Sequence, residues 1–390
     1  MTADPFFTLT NNSEWNALIG RQGDATNYAD GYIEAALDLA NLIINEERIG
    51  QRDTLVLPIL YNARHSIELH LKLVIGAMVD AGILSSGHAP NHDIASHFQY
   101  LNDYKIPDLA FRSLLTNLKP FIDSLAKIDD DGQELRYFTN RDGQRSLEDR
   151  ALVNIGVIRD SLVTLKDTLE LLKYRTIDFC KEFHTGTHTN CLSREDLLAL
   201  ARMLPKREEW SDLKFDECKT AIKKHFEIGN RQFSLALDMI QERRELNGII
   251  NVETPLIHLS DEKAIFLAEQ WRVFHPPREK PESVAGYFNR NFEALFENRE
   301  NEKDALDVIL TELNFDEIAD AETIFYLSRN REYSERYESN LDLKKKEYHA
   351  SGDLQMEAFN LMHKTNFLSE FKRGVAMLGR LDLLDKLKDI

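Results

Sequence analysis

Cysteine is scarce in this sequence, with three residues among 390. Cys180, Cys191 and Cys218 are too few to form the disulfide framework of a small secreted domain. The opening residues, MTADPFFTLTNNSEW, also lack the basic and then apolar layout of a signal peptide. We therefore expect a protein of the reducing cytoplasm.

Long hydrophobic runs are lacking as well. The most apolar stretch, at 55–79, is interrupted by Arg64, His65, Glu68, His70 and Lys72. A segment with so many polar side chains is a poor candidate for crossing a bilayer. We therefore expect no membrane integration.

Basic residues are outnumbered, since 48 Lys and Arg stand against 66 Asp and Glu for a net charge of −18. Such a surface repels phosphate backbones, which disfavours a sequence-independent duplex binder but leaves room for a local basic patch. The sequence also has no Walker-type phosphate loop, GxSxG elbow, HExxH or dinucleotide fingerprint. The common ATPase, hydrolase and dehydrogenase classes therefore lack support.

What the sequence does contain is a helical pattern over most of its length. Hydrophobic residues make up 43% of the chain, enough to form a core, and they recur at three- and four-residue spacing. The pattern predicts an all-α protein with a multi-helix bundle and a second helical region. Predicted helices cover 28–47, 58–81, 92–104, 109–127, 152–183, 197–203, 215–226, 233–244, 261–271, 283–297, 304–313, 316–328, 333–349 and 354–387.

Breaks in the pattern predict the domain organisation. Asp-Gly pairs around a short apolar run predict a small loop or hairpin inserted at 129–149. A polar stretch, HTGTHTNCLSRED, precedes a helix that Ser193 should cap. We predict three domains, at 1–184, 185–258 and 259–390. The acidic run at 129–131 and the lysine run at 344–346 are interpreted as solvated surface.

The densest polar cluster within an apolar helix is NARHSIELHLK, at 62–72. Arg64 and Glu68 are one turn apart there, so we predict an Arg–Glu pair on one helix face. One interpretation is a structural ion pair that links this helix to its neighbour. In the following segment, Asp93 is predicted to cap a helix, and His92 or His97 to pack or to partner Glu68.

The other interpretation of this helix is catalytic. Arg64 and His70 have the Arg-x5-His spacing of a class of metal-independent ribonucleases, in which a cation stabilises phosphorane charge and an imidazole transfers protons. Six residues of regular helix separate two side chains by about 120°. The pair therefore converges only where the helix starts or kinks, or where a partner helix from a second chain completes the site.

A possible metal site is suggested by the C-x3-H-x3-H-x2-C series of Cys180, His184, His188 and Cys191. These are four ligands of the type that tetrahedral zinc prefers, so a zinc ion here would be structural. The alternative is that Cys180 is a buried apolar residue and the histidines belong to a polar linker.

Three blocks in order resemble the HEPN-type helical domains of uncharacterised bacterial proteins: LPILYNARHSIELHLKLVI at 57–75, NHDIASHFQYL at 91–101 and ELRYFTNRDG at 134–143. The resemblance covers about the first 180 residues. It implies a HEPN-like antiparallel bundle that forms a homodimer, in a superfamily whose active members cleave RNA without metal and often act as toxins or in defence against phage.

Carried over to this chain, the resemblance implies roles for four residues. Arg64 would stabilise the phosphate, His70 would be general acid or base, Glu68 would orient Arg64, and His65 would occupy the polar position after the arginine. Two functions follow as hypotheses. The first is a metal-independent RNA-cleaving effector, in phage defence or a toxin–antitoxin pair, with a composite site at a dimer interface and no required cofactor. The second is a non-catalytic helical interaction or scaffold protein that binds a protein partner.

Overall fold

The architecture comes from a computed structural model that describes residues 4–9, 11–21, 25–139, 143–147, 152–276 and 292–390, the side chains of 292–298 excepted. Within these ranges the chain forms sixteen α-helices and no β-strand, which confirms the all-α prediction. None of the described helices is both long enough and apolar enough to span a membrane. The chain divides into two compact units, Met1–Lys181 and Glu182–Ile390.

The first unit is a helical bundle, and its two longest helices lie at 52–80 and 155–183. The helix at 52–80 continues without a break through the predicted polar cluster. Asp93 and Asp108 cap the next two helices, because each carboxylate accepts a hydrogen bond from a backbone amide in the first turn. The helices of this unit are α1 (Ala25–Asn45), α2 (Arg52–Asp80), α3 (Ile94–Asp103), α4 (Leu109–Ala126) and α5 (Ile155–Phe183).

A small hairpin lies between α4 and α5, where the sequence predicted a loop or hairpin. Thr139 and Arg145 form an isolated antiparallel bridge, and the backbone amide of Ser146 donates to the carbonyl of Phe138 at 3.0 Å. Gly132 and Gly143 have φ angles of +82° and +74°, which glycine adopts without steric cost. The Asp-Gly turn signals therefore mark the places where the backbone turns.

The second unit is also helical. Ser193 begins it with a full capping box, in which the serine hydroxyl and the Asp196 carboxylate satisfy each other's backbone amides, as predicted for the cap. Its helices are α6 (Arg194–Met203), α7 (Leu213–His225), α8 (Asn230–Glu242), α9 (Arg244–Ile249), α10 (Asp261–Phe274), α11 (Phe292–Glu312), α12 (Phe315–Arg329), α13 (Tyr337–Ser351), α14 (Leu354–Met362), α15 (Phe367–Met377) and α16 (Leu381–Leu387).

Helix α12 forms the centre of the second unit, and its buried acidic residues all have partners. Asp320 accepts the Tyr337 hydroxyl at 2.5 Å and the backbone amides of His258 and Leu259 at 2.8 and 3.0 Å. Glu322 accepts the Tyr348 hydroxyl at 2.6 Å. These bonds compensate the desolvation of two carboxyl groups in an otherwise apolar core.

The last predicted helix, at 354–387, is corrected by the structure to three helices, α14 to α16. The helix is interrupted before α16, where the backbone at Gly379 packs closely against the backbone at Gly248. A Cβ on Gly248 would lie 2.3 Å from the carbonyl oxygen of Gly379. Gly379 has a φ of +68°, which ends a helix and reverses the chain. The predicted helix at 283–297 begins outside the described residues, and the structure shows helix from Phe292.

The three predicted domains stay a prediction, although 185–258 and 259–390 both fall in the second unit. Ion pairs cross this predicted boundary. Arg194 binds Glu335 at 3.0 Å, and Arg380 binds Glu253 at 2.9 Å. Such contacts between helices distant in sequence hold the two regions in one unit.

Candidate functional site

Arg64 is the centre of the candidate site. It lies in the middle of α2 with 1% of its surface exposed. Its guanidinium donates to Glu68 Oε2 at 3.0 Å, to the Asp129 carbonyl at 2.9 Å and to the Asp130 carbonyl at 3.0 Å, and also to the carbonyl of His92. The predicted Arg64–Glu68 pair is therefore confirmed, and every arm of the guanidinium has an acceptor within the chain.

Glu68 has further hydrogen-bond partners on its other oxygen. Lys72 Nζ donates to Glu68 Oε1 at 2.6 Å, and His92 Nδ1 donates to the same oxygen at 2.8 Å. The Nδ1 atom of His65 lies 3.9 Å from Oε2. Burial favours a raised pKa for Glu68, but the contacts with His65, Lys72 and His92 outweigh it and hold the pKa well below its usual range. Glu68 is therefore an ionised carboxylate at the heart of the cluster.

The loop after α4 closes over Arg64. Both carboxylate oxygens of Asp129 accept backbone amides, from Glu134 at 3.3 Å and Leu135 at 3.2 Å, which fixes the path of the loop. Asp129 is 1% exposed, so its interpretation as solvated surface is wrong. Its backbone carbonyl thereby faces the guanidinium. We name Arg64, Glu68, His92, Asp129 and Asp130 the arginine cluster.

His70 belongs to a different network, between α2, α1 and α5. Its Nδ1 lies 2.9 Å from the Ser66 carbonyl and 3.2 Å from the Ser66 hydroxyl, and its Nε2 lies 3.2 Å from Asp30 Oδ1. The other oxygen of Asp30 binds Lys173 Nζ at 2.6 Å. Burial lowers the pKa of His70, and contacts with Ser66 and Asp30 only partly offset this effect.

The order Ser66, His70, Asp30 is that of a nucleophile, a base and an orienting acid. The serine is nevertheless closed to any substrate, because it is 0% exposed and its hydroxyl donates to the Ala29 carbonyl at 2.7 Å. These contacts tie α2 to α1. The catalytic role predicted for His70 stays a prediction.

Arg64 and His70 are not brought together. Among the described residues they share no hydrogen-bond partner, both are almost fully buried, and α2 has neither a start nor a break between them. The angular separation of two positions six residues apart on a regular helix is thus kept. His65 lies beside Glu68, and its ring contacts those of Tyr32 and Tyr61 at centroid distances of 4.4 and 5.6 Å.

The four predicted zinc ligands have separate surroundings. Burial raises the pKa of the Cys180 thiol to about 11, and its Sγ donates to the Ala77 carbonyl at 3.6 Å. His188 stacks on Phe183 at 4.4 Å between centroids, His184 is exposed, and Cys191 Sγ accepts from Gln232 Nε2 at 3.0 Å. Within the described part of the chain, no three His, Cys, Asp or Glu side chains are grouped as a metal site. Zinc binding stays a prediction.

Of the two histidines predicted to pack or to partner Glu68, His92 is the one that binds it, and the predicted helix cap at Asp93 is confirmed. Sequence reasoning missed the backbone carbonyls of Asp129 and Asp130, for which the turn signal at Gly132 was the available clue. It also missed Asp30 and Lys173, which no local pattern links to His70. Comparisons of the chain with protein-family models, with curated proteins and with solved structures give no match.

Proposed function

We propose that this protein is a non-catalytic helical interaction protein, and that its first unit is a HEPN-like bundle in which the arginine cluster stabilises the fold. The observation that carries the proposal is the burial of Arg64 and His70, at 1% and 2% exposure, with partners inside the chain for both. In an interaction protein Arg64 and His70 have partners within the chain, whereas in a ribonuclease they would be open to solvent in a shared cleft.

The chemistry of phosphodiester cleavage supports this choice. A general acid or base must come within hydrogen-bond distance of the proton that it transfers, and a stabilising cation must reach the phosphate. The Arg64 guanidinium already donates to one carboxylate and three carbonyl oxygens. Arg64 and His70 would each have to break their contacts within the chain before they could bind a substrate. For a buried charge this costs several kcal/mol.

The resemblance to HEPN-type domains takes on a structural meaning in this proposal. Arg64 and Glu68 come from the first resembling block, His92 comes from the second, and the loop that closes over Arg64 leads directly into the third. The first two blocks meet at the guanidinium of Arg64, and the third is linked to it through Asp129, whose carboxylate accepts the backbone amides of Glu134 and Leu135. We infer that they are the set of residues that assembles the bundle.

The ribonuclease hypothesis is the second candidate, and one observation favours it. Lys72 and His92 bind the same oxygen of Glu68, and their side chains are 36% and 65% exposed. An ammonium and an imidazole thus reach solvent beside the arginine cluster. Such a pair, completed by a second chain, would be a composite site that does not need His70.

Incubation of the metal-free full-length protein with total cellular RNA separates the two candidates. Wild type is compared with Arg64→Ala, His70→Ala and His92→Ala, and circular dichroism checks that each variant is folded. The proposal predicts that none of the four proteins produces new RNA ends. Fragments with cyclic-phosphate ends that disappear in a folded variant would overturn it.

A further inference from the structure

The N-terminal segment of the chain carries an unusual amount of exposed apolar surface. Its large hydrophobic residues are between 65% and 88% exposed, namely Phe6, Phe7, Leu9, Trp15, Leu18 and Ile19. Water-exposed apolar area of this extent on a folded protein marks an interaction site. We name residues 4–21, which precede α1, the N-terminal arm.

A second apolar surface lies on α5 of the same unit. Its large hydrophobic residues are between 39% and 65% exposed, namely Val157, Val163, Leu171, Tyr174 and Ile177. At 100° per residue, the last four fall within a sector of about 120° on the outer side of the helix. We name these five residues the α5 face. It is a stripe of the width that one extended segment can cover.

The arm and the face are both uncovered within their own chain, since every one of these residues is exposed. We propose that the N-terminal arm of one chain covers the α5 face of a second copy, and that the second copy returns the same contact. The result is a dimer by exchange of arms. This inference rests on the proposed interaction function and names the partner as a second copy of the chain.

The area available agrees with a stable dimer. A fully buried aromatic side chain removes about 150–250 Å² from water, so the three aromatic residues of the arm supply roughly 400–600 Å². Two exchanged arms supply roughly 800–1,200 Å², and the faces beneath them contribute about as much again. The sum reaches the range of about 1,200–2,000 Å² that specific protein interfaces bury.

The charge of the arm argues against a lipid surface as the occupant. Asp4 and Glu14 are acidic, and Arg21 is the one basic residue of the arm. Anionic membranes attract segments rich in Lys and Arg, and a segment with an acidic excess is repelled. The exposed phenylalanine and tryptophan side chains of the arm are therefore better suited to an apolar surface on a protein.

The test measures the mass of the full-length protein by sedimentation equilibrium over a range of concentrations. An arm variant carries Phe6→Ser and Phe7→Ser, and a face variant carries Leu171→Asp and Tyr174→Asp. All four positions are exposed, so these variants should fold as wild type does. A control variant carries Leu213→Asp and Leu343→Asp, which are exposed in the second unit at 83% and 59%.

The wild type and the control are expected to be dimers, and the arm and face variants to dissociate at least 100-fold more readily. An equimolar mixture of arm variant and face variant should regain a dimer, because one intact arm then meets one intact face. Trp15 reports on the contact directly. Its emission should shift to shorter wavelength as wild type associates, by comparison with a Trp15→Phe protein.

Three results would overturn the arm exchange. They are a monomer at every concentration, a dimer that both variants leave intact, and a mixture that fails to associate. In the first case, emission from a buried Trp15 would show that the arm covers its own chain. RNA cleavage, by contrast, would overturn the proposed function, so the two failures are distinguishable.

Discussion

Gly132 and Arg64 approach so closely that a Cβ built on the glycine would lie 3.1 Å from Nη1 of the arginine. The glycine also has a φ of +82°. A side chain at position 132 would therefore crowd the guanidinium to which the loop after α4 presents its carbonyl oxygens. The residue at position 132 of the loop thus affects how the buried Arg64 guanidinium packs.

Gly132→Ala is expected to lower the free energy of unfolding by more than Gly143→Ala does. Both glycines have positive φ angles, so both substitutions cost roughly 1–2 kcal/mol for the left-handed backbone. Only at Gly132 does the new methyl group meet Arg64, since a Cβ on Gly143 has no atom within 4 Å. Overpacking of this kind adds about 1 kcal/mol or more. Urea unfolding of both variants measures the difference, and equal losses would contradict the account.

Arg64→Ala is expected to destabilise the protein by about 3–5 kcal/mol, because the buried Glu68 carboxylate and three backbone carbonyls all lose the donor that they share. Arg64→Lys should also destabilise, since an ammonium cannot reproduce the fork that binds four acceptors. Arg52 begins the same helix and is exposed, and Arg52→Ala should change stability by less than about 0.5 kcal/mol. An Arg64→Ala protein as stable as the Arg52→Ala control would rule out a structural role for the cluster.

Stability should fall as the pH is lowered from about 7 to about 5. The pKa of His70 is lowered in the folded protein, so the unfolded chain takes up its proton first, near the ordinary value of 6.5. Below that pH, protonation favours unfolding by up to about 1.4 kcal/mol for each pH unit.

His70→Gln should reduce this pH dependence, whereas His225→Gln, at an exposed position, should leave it as in wild type. The lowered pKa of His97 acts in the same direction, so part of the slope should persist. Denaturant unfolding at several pH values gives the slopes. A His70→Gln protein with the full wild-type slope would refute the assignment.

Gly374→Ala should be among the most damaging single substitutions in the second unit. A Cβ at this position would lie 2.2 Å from the carbonyl oxygen of Ile324, so α15 and α12 would have to separate. A loss of about 3 kcal/mol or more is expected. Gly76→Ala in α2 is the matched control, because its Cβ meets nothing within 4 Å and alanine favours a helix by roughly 0.5–1 kcal/mol. Thermal unfolding should move in opposite directions for the two.

Much of the fold was predictable because local chemistry determines it. The hydrophobic period gave the helices of the first unit to within a few residues, apart from the start of α2 at Arg52 in place of 58. Capping at Asp93 and Ser193 follows from side chains that accept amides one turn ahead. The Arg64–Glu68 pair follows in the same way from helical spacing, since residues four apart lie on one face.

The rest depends on contacts that are distant in sequence. The burial of Asp129 could not be predicted, because a run of acidic residues reads as solvated until the loop closes on α2. The ion pairs of the lysine run are also distant in sequence, since Lys344 contacts Glu322 at 3.5 Å and Lys345 contacts Asp316 at 3.1 Å. The break before α16 depends on the packing of Gly379 against Gly248, which periodicity does not encode.

A double-mutant cycle between Arg64 and Glu68 tests the central claim most directly, namely that the two side chains form a satisfied structural pair. Arg64→Met, Glu68→Leu and the double variant are unfolded in denaturant beside wild type. The account predicts that the double variant loses less stability than the sum of the single variants, with a coupling of roughly 1–3 kcal/mol, because each single variant leaves a buried charge with fewer partners. Losses that add to within about 0.5 kcal/mol would contradict it.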